Sequence, residues 1–293
     1  MSKQSSVDAV ETSETNTESD SREEMLSTNE RQTEYYETYG HNLNHANRKL
    51  ASRLWGWARG RMKDYRRATG IKDSIRQFQF DAVGDLSGKR VLDLGCYDGN
   101  SMSVVMAKSA DYYLGVDLSQ KAIAKLNERL DGIPNAEAQA VDFLSPDFAP
   151  EPFDVIYANS VMHHFEHFDA FLSVLRSHLV PGGYVVSFDP LETGAMIRFL
   201  RWVYRPFQQD ADWEWPFQKK TFRSIEQQFE IASIQGYLGR AKWPIFLATL
   251  PGANGLAHKL GVRAAEHDAR CANALNRSLW SCMQVAMKLV RVD

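Results

Sequence analysis

The sequence predicts an α/β protein built on a doubly wound, mostly parallel seven-stranded sheet, and three observations support this fold class. From about residue 89, short apolar runs alternate with segments of helical periodicity. One run, Val91–Leu94, leads into a glycine-containing turn and a helical segment, and the next run, Tyr112–Val116, ends on the carboxylate of Asp117. Strands that alternate with helices of this length form right-handed βαβ crossovers, and ligands bind at the carboxyl ends of such strands.

The strands are predicted where apolar or alternating runs are bounded by turn residues. They fall at Arg90–Leu94, Tyr112–Asp117, Ala136–Asp142, Phe153–Asn159, Tyr184–Asp189, Phe229–Ile234 and Met283–Val290. The helices between the first five are predicted at Asn100–Lys108, Ser119–Leu130 and Phe168–Leu179. Ser119 can cap the second of these helices, and Pro181 with the two glycines after it stops the third.

Changes in composition divide the chain into five segments. Residues 1–33 are predicted to form a disordered acidic tail, because Ser, Thr and Glu dominate and apolar residues are scarce. Residues 34–84 are predicted as an N-terminal helical lid, with apolar residues on one face and bases on the other. The sheet core follows over 85–190, and an aromatic cap over 191–228. The last core strands, with a helical insertion, occupy 229–293.

The net charge of −3 conceals an uneven distribution. Residues 1–34 carry nine acids and three bases, whereas residues 41–76 carry ten bases and two acids. The basic block is either a solvated helix face or an attraction for an anionic substrate, a nucleic acid or a membrane surface. Three cysteines without CxxC spacing give no disulfide framework and favour a cytoplasmic protein. Neither a signal peptide nor an apolar stretch long enough to span a bilayer is expected.

The strand–turn–helix–strand unit that ends on Asp117 is typical of a nucleoside site. The turn lets a ligand approach the backbone, and the carboxylate accepts hydrogen bonds from ribose hydroxyls. A nicotinamide-binding domain would have the spacing G-x-G-x-x-G, whereas Gly95 and Gly99 are separated by three residues. Cys96, between the two, is interpreted as a small buried filler and not as a nucleophile.

Five segments follow one another at the spacing of a known family. They are Val91–Asn100, Gly115–Ser119, Asp142-Phe143, Phe153–Phe165 and Leu175–Gly183. Together they resemble the successive motifs of class I S-adenosylmethionine-dependent methyltransferases, in particular the subgroup similar to quinone C-methyltransferases. The resemblance covers roughly 85–190 well and the last strands loosely. It implies a Rossmann-like methyltransferase fold and S-adenosylmethionine as the cofactor. It also implies S-adenosylhomocysteine as the product, with no metal.

The resemblance implies cofactor-binding roles for residues at the ends of the first four strands. These residues are Asp93, Gly95, Gly99, Asp117, Leu118, Asp142, Phe143 and Asn159. Asp93 and Gly95 would lie under the methionine part of the cofactor, with Asp93 near its ammonium group. Asp117 would accept hydrogen bonds from both ribose hydroxyls.

The same resemblance assigns the adenine and the sulfonium. Leu118 would pack on the adenine, Asp142 would take its exocyclic amine, and Phe143 would donate through its backbone. Asn159 would sit beside the sulfonium through its backbone carbonyl. One position departs from the family, which usually has Gly where this chain has Tyr97. Because a side chain restricts φ, we expect the loop to bind with a shifted path.

The run His163–His167 matches H-x-x-E-H, the pattern of inverted zinc proteases, in which a third ligand would be needed. The run follows a buried strand and occupies the place of the family's loop after the fourth strand. The resemblance therefore implies another interpretation, in which His164 faces the acceptor, and we take it as the candidate base. Asp189 and Tyr157 are held in reserve as bases. His163 and His167 are then flanking or surface residues.

The acceptor site is predicted from the aromatic and basic segment 191–223, which follows the fifth strand. Aromatic platforms and arginines suit a ring-bearing or anionic molecule, although the aromatics could equally be the core of a helical cap. The candidate substrate residues are Arg198, Trp202, Arg205 and Trp215, with Tyr36 and Tyr39 closing the site from the N-terminal side.

The predicted activity is transfer of a methyl group to an O, N or C atom of a small-molecule acceptor, by in-line displacement. The acceptor classes considered are glycosyl, natural-product, lipid and quinone-like molecules. Three alternatives stay open: a non-catalytic cofactor-binding partner protein, an RNA methyltransferase, and a membrane-surface role through Trp243–Leu250 and the basic helix.

Overall fold

The computed structural model describes residues 20–34, 50–205, 213–250 and 252–292. Ten helices lie within these residues, and we number them α1 to α10 in chain order. They span 20–34, Leu50–Ala68, Ile71–Val83, Ser101–Ser109, Gln120–Leu130, Phe168–Ser177, Ala195–Tyr204, Lys219–Gln228, Pro244–Ala248 and Asn254–Cys271. The strands, β1 to β7, span Arg90–Leu94, Tyr112–Asp117, Ala136–Ala140, Phe153–Asn159, Leu179–Pro190, Phe229–Tyr237 and Gln284–Arg291.

The seven strands form one sheet in the order β3-β2-β1-β4-β5-β7-β6. The first five strands of this order pair in parallel, and β7 runs antiparallel to both of its neighbours. The predicted fold class is therefore confirmed. The strand order reverses between β1 and β4, and in open α/β sheets the ligand crevice lies at such a point, outside the carboxyl ends of the strands.

Helices cover both faces of the sheet, because successive strand residues point to opposite sides. In β1, Leu92 contributes to a core cluster that also holds Phe171 of α6 and Ile225 of α8. Its neighbour Val91 contributes to a second cluster that holds Met106 of α4 and residues of α3 and α5. This two-sided burial explains the nearly continuous apolar runs of the central strands.

Helix α1 is a correction to the predicted disordered tail. Residues 20–34 are helical, and Met25 is buried in the same core cluster as Leu92. Asn29 and Gln32 lie on the buried side of the helix as well. The tail prediction was based on mean composition, whereas a helix needs only one contacting face. The rest of the predicted tail, residues 1–19, lies outside the described residues.

Several element boundaries also differ from the prediction. Helix α6 ends at Ser177 and β5 begins at Leu179, because Leu179 already pairs with Phe153. The aromatic cap was predicted to continue to residue 228, but α8 packs on α6 and β6 with Ile225 in the core. Helix α8 is thus part of the layer that covers the sheet.

The predicted helical insertion after β6 consists of α9 and α10, which pack with α2 around a third apolar cluster. In this cluster the hydroxyl of Tyr65 donates to the carbonyl oxygen of Ala241 at 2.7 Å. Tyr36 and Tyr39, predicted to close the site, lie outside the described residues. Within the described ranges, no helix has the length and apolarity required to cross a membrane.

Candidate active site

The loop after β1 carries three left-handed residues in alternation. Gly95, Tyr97 and Gly99 have φ values of 65°, 49° and 74°. Tyr97 therefore adopts a backbone conformation that favours glycine, and the shifted path of the loop stays a prediction. A left-handed residue that is not glycine costs roughly 1–2 kcal/mol, which the contacts of its N–H group can offset.

Asp117, at the end of β2, provides that contact. One carboxylate oxygen accepts from the backbone N–H of Tyr97 at 2.9 Å, and the other accepts from the N–H of Ser119 at 3.0 Å. The two bonds fix the carboxylate between the loop and the start of α5, whose first turn is capped by the Ser119 hydroxyl. A negative group is thus held at the tip of β2, beside the backbone of the glycine-containing loop.

Arg129, near the end of α5, stabilises the same loop through hydrogen bonds to its backbone. Its guanidinium donates to the carbonyl oxygen of Asp98 at 2.7 Å and to that of Gly99 at 2.5 Å. The sequence analysis did not identify Arg129, because a charged residue on an amphipathic helix usually faces solvent. Its contact depends on the distance between α5 and the loop, which only the folded chain fixes.

Gly95 tolerates no side chain, for two separate reasons. Its φ is left-handed, and a Cβ atom there would lie 2.5 Å from Cγ2 of Val161. We expect Gly95→Ala to lower the free energy of unfolding by about 1–3 kcal/mol more than Gly132→Ala. Gly132 is the matched control, because its φ of 79° is also left-handed but nothing lies within 4 Å of its would-be Cβ. Urea denaturation of both variants tests this, and equal losses would contradict it.

Asp93 lies beneath the loop. Its carboxyl is buried, and the Tyr113 hydroxyl donates to it at 2.7 Å. Burial raises the pKa of Asp93 to about 6. The Tyr113 bond links β1 to β2, and the predicted contact of Asp93 with the ammonium group of the cofactor stays a prediction.

Asp142 lies just beyond β3, and α1 reaches it. The side-chain amide of Asn29 donates to both Asp142 oxygens at 3.0 Å, and the backbone N–H of Leu144 donates at 2.8 Å. Burial raises the pKa of Asp142. Phe143 is buried among aromatic rings, as a core residue. Asn29 was missed because it falls in the segment predicted as disordered; the spacing of Met25, Asn29 and Gln32 was the only indication.

Asn159, the last residue of β4, is bound by a second residue that sequence reasoning missed. The side-chain amide of Gln79, buried on α3, donates to Asn159 Oδ1 at 2.7 Å. Helix α3 thereby reaches the carboxyl end of the central strands, where the chain turns through Ser160 with a left-handed φ of 61°. As predicted, four of the candidate residues lie at or just beyond the carboxyl ends of neighbouring parallel strands. They are Gly95, Asp117, Asp142 and Asn159.

The histidine run is arranged differently from the prediction. His163, expected at a flank or the surface, is buried, and its Nδ1 lies 2.9 Å from Oδ1 of Asp189. Its backbone N–H donates to the same oxygen at 3.2 Å. Asp189 is fully buried, and burial raises its pKa to about 7. Asp189 therefore holds His163 and does not itself face an acceptor.

His164 is half-buried, and its Nδ1 lies 2.7 Å from the carbonyl oxygen of Trp213. A carbonyl oxygen only accepts, so Nδ1 carries the proton and the neutral ring has its lone pair on Nε2. Tyr157 does not fit its reserve role as a base, because it is buried beside Asp93 and burial raises its pKa. Among the described residues, no group of three or more acidic, His or Cys side chains is arranged to hold a metal ion.

The candidate substrate residues lie around two neighbouring cavities. One of about 1040 Å³ is lined by Trp215 and Arg205, and one of about 280 Å³ by Arg198, Trp202 and Arg205. Both cavities also share Glu214 as a lining residue.

Glu214 connects these cavities to the histidines. Its carboxylate lies 4.0 Å from Nε2 of His163 and 3.8 Å from the guanidinium of Arg201. The backbone N–H of Trp215 donates to the His163 carbonyl at 2.7 Å. Glu214 was not identified from the sequence, because nothing local distinguishes it from a surface acid.

Comparison with known proteins gives one family. The sequence profile of a family described as "Methyltransferase domain" matches residues 39–234. The chain is 30% identical over 159 residues to phthiotriol/phenolphthiotriol dimycocerosates methyltransferase 1 of Mycobacterium ulcerans, covering 54% of this chain and 53% of the relative. It is 36% identical over 95 residues to trans-aconitate 2-methyltransferase of Methylobacterium nodulans, covering 32% of this chain and 35% of the relative. At best, the chain spans about half the length of these curated relatives.

Solved structures give the same fold. Magnesium protoporphyrin IX methyltransferase of Synechocystis PCC 6803 aligns with a TM-score of 0.52 at 15% identity, covering 90% of this chain and 99% of that chain. The 4+2 cyclase SpnF aligns with a TM-score of 0.51 at 19% identity, covering 75% and 80%. At such low identities the likeness concerns the fold alone.

Proposed function

The chain belongs to the methyltransferase domain family and has the class I fold, and from this premise we propose that it transfers the methyl group of S-adenosylmethionine to a small-molecule acceptor. The observation that carries the proposal is the carboxylate of Asp117, bonded to the N–H groups of Tyr97 and Ser119 at the tip of β2. A carboxylate in this place suits the ribose hydroxyls of a nucleoside.

The residues at the carboxyl ends of the parallel strands have side chains that suit the parts of the cofactor. Asp117 would hold the ribose, and Asp142 would take the adenine amine beside Leu118. Gly95, where a Cβ atom has no room, lets the backbone form the floor for the methionine part. Gln32 supports the fit, since it is buried on α1 and its Nε2 has no hydrogen-bond partner among the described residues.

The catalytic contribution of the chain is alignment and the removal of one proton. Bound S-adenosylmethionine would supply the methyl group, with S-adenosylhomocysteine as the leaving group. Nε2 of His164 would accept the proton that the acceptor atom loses as its bond to the methyl group forms. Trp213 fixes the His164 ring through Nδ1. Alignment of two reactants contributes roughly 7–11 kcal/mol to such a reaction. A positioned base contributes a further factor of about 10²–10⁴ when the acceptor must lose a proton.

The acceptor in this proposal is a small molecule with an apolar body and an anionic or polar head. Arg198, Arg205 and Trp202 line the cavity of about 280 Å³. The two guanidinium groups suit an anionic head, and the indole ring suits an apolar body. The relatives named above are methyltransferases of phthiotriol/phenolphthiotriol dimycocerosates and of trans-aconitate, and the second name specifies an acidic acceptor. The proposed location of the enzyme is the cytoplasm, in keeping with free cysteines at all three positions.

The alternative of a non-catalytic partner protein rested on Tyr97. The left-handed backbone of Tyr97 and its N–H bond to Asp117 are compatible with a cofactor-binding loop. The observation that motivated this alternative therefore no longer supports it. An RNA methyltransferase is also less favoured, because the net charge of the chain is −3 and its sequence has no recognised RNA-binding motif.

Calorimetric titration of S-adenosylmethionine into the wild type and Asp117→Ala tests the proposal. Hydrogen bonds to a charged group are worth about 1.5–3 kcal/mol each, so the variant should bind at least roughly tenfold more weakly. Asp147→Ala is the matched control, an exposed loop aspartate one strand away, and it should bind like the wild type. Absence of binding to the wild type would overturn the proposal.

A further inference from the structure

The buried face of helix α1 lies along the loop that follows β3. The guanidinium of Arg22 donates to the carbonyl oxygen of Leu144 at 2.8 Å, and the amide of Asn29 donates to both carboxylate oxygens of Asp142 at 3.0 Å. Arg22 and Asn29 are separated by about two turns of helix, so their side chains lie on one face. Helix α1 therefore runs from Leu144 back toward the end of β3.

Gln32 continues this face in the same direction. It lies one turn after Asn29, about 4.5 Å further along the helix axis, and it is buried. The residue before Asp142 is Val141, whose N–H donates to the carbonyl oxygen of Asp117 at 3.0 Å. The direction of the helix thus leads to the ends of β3 and β2, where the nucleoside is proposed to bind.

The side-chain amide of Gln32 is a buried donor without an acceptor. The residue is 4% exposed, and Nε2 has no hydrogen-bond partner among the described residues. A buried amide nitrogen costs free energy in the folded protein unless an acceptor satisfies it. Such groups are rare in folded proteins, and one that lies beside a proposed ligand site indicates that the ligand supplies the acceptor.

Asp142 indicates which part of the ligand supplies it. A carboxylate has about four acceptor positions. Asn29 donates to both oxygens and the N–H of Leu144 donates to Oδ1, so one position on Oδ2 has no donor among the described residues. That position suits the exocyclic amine of adenine. The ring nitrogens on either side of this amine only accept, and a primary amide is a side chain that pairs with them.

We infer that Nε2 of Gln32 donates a hydrogen bond to a ring nitrogen of the adenine of bound S-adenosylmethionine. The inference deepens the proposed function and rests on it for the position of the nucleoside. It adds to the cofactor site a residue of α1, outside the five segments that carry the family resemblance. It also gives a physical reason for a polar side chain on the buried face of this helix.

Two measurements on Gln32→Leu test the inference. Without a ligand, the variant should be at least as stable to urea as the wild type, because an apolar side chain of similar size replaces an amide that lacks an acceptor. In calorimetric titrations it should bind S-adenosylhomocysteine about 3–10-fold more weakly, as expected for the loss of one hydrogen bond. Gln77→Leu is the matched control, because Gln77 is exposed on α3, and it should bind as the wild type does.

Ring analogues of the ligand identify the contact itself. The 1-deaza, 3-deaza and 7-deaza analogues of S-adenosylhomocysteine each replace one ring nitrogen by a C–H group. The wild type should bind one of them about 3–10-fold more weakly than the parent compound. Gln32→Leu should bind that analogue and the parent compound with equal affinity. Such a cycle assigns the lost interaction to the two groups that were removed.

Three results would overturn the inference. The first is a Gln32→Leu variant that binds S-adenosylhomocysteine as tightly as the wild type does. The second is a variant that loses the same factor for all four ligands, and the third is a variant that is less stable than the wild type without a ligand. A wild type that binds none of the four ligands would contradict the proposed function as well, so the two failures are distinguishable.

Discussion

Replacement of His164 by alanine is expected to lower the rate of methyl transfer by about 10²–10⁴-fold while leaving the affinity for S-adenosylmethionine nearly unchanged. The reason is the tautomer of the ring. Its Nδ1 donates to the carbonyl oxygen of Trp213 at 2.7 Å, so Nε2 has the lone pair that accepts a proton. Single-turnover rates measured beside calorimetric affinities separate the chemical step from cofactor binding.

His258→Ala is the control for this variant, because His258 is a histidine of α10 that lines neither acceptor cavity. It should retain wild-type rates. If His164→Ala also retains them, either the acceptor needs no base or the base lies elsewhere. A rate loss matched by an equal loss of cofactor affinity would assign His164 to binding instead of proton transfer.

The second large effect is expected at Asp189, on stability. Removal of an acceptor that leaves a buried donor unsatisfied costs about 1–3 kcal/mol per donor. Asp189→Ala would leave both Nδ1 and the backbone N–H of His163 without their acceptor. We therefore expect urea denaturation to show a loss on the order of 2–6 kcal/mol. Asp189→Asn keeps an acceptor oxygen of the same shape and should lose much less. Equal losses in the two variants would show that packing, and not the hydrogen bonds, is responsible.

The same pair of variants gives a pH dependence with a defined sign. In the folded protein burial raises the pKa of Asp189 to about 7, whereas an unfolded aspartate titrates near 4. Between these values the unfolded chain binds fewer protons, so the free energy of unfolding falls as pH rises, and it levels off above about 7. The contribution is on the order of 4 kcal/mol at most.

Asp93, with its pKa raised by burial to about 6, acts in the same direction. The Asp189 contribution is therefore the difference between the wild type and Asp189→Asn, measured from pH 4 to pH 8. The two unfolding curves should diverge steadily up to about pH 7. Parallel curves would mean that Asp189 is ionised throughout, as the ion-pair partner of His163.

Much of the fold could be predicted because its determinants are local. Strands β1, β2 and β4 begin and end where predicted, since each is an apolar run bounded by polar or turn residues. Strand β6 was found longer than predicted, because its pairing with β7 continues past Ile234 to Tyr237. Strand β7, predicted from alternation, has the predicted length and lies one residue later in the chain. The position of Asp117 at a strand end followed from the same pattern.

The parts of the site that could not be predicted depend on contacts between distant segments. Asn29 meets Asp142 across 113 residues, and Gln79 meets Asn159 across 80. In each case an amide with no distinguishing local pattern becomes part of the site because its helix packs over the strand ends. Composition placed Asn29 in a disordered tail, since an average over a segment does not register one buried helix face.

The order of strands and helices and the polar residues at the strand ends could be read from the amino-acid sequence alone, because period and turn chemistry are properties of neighbouring residues. Which histidine is buried depends instead on tertiary contacts. His163 and His164 are adjacent and chemically identical, and the choice follows from Asp189, which pairing between β4 and β5 brings beneath one of them.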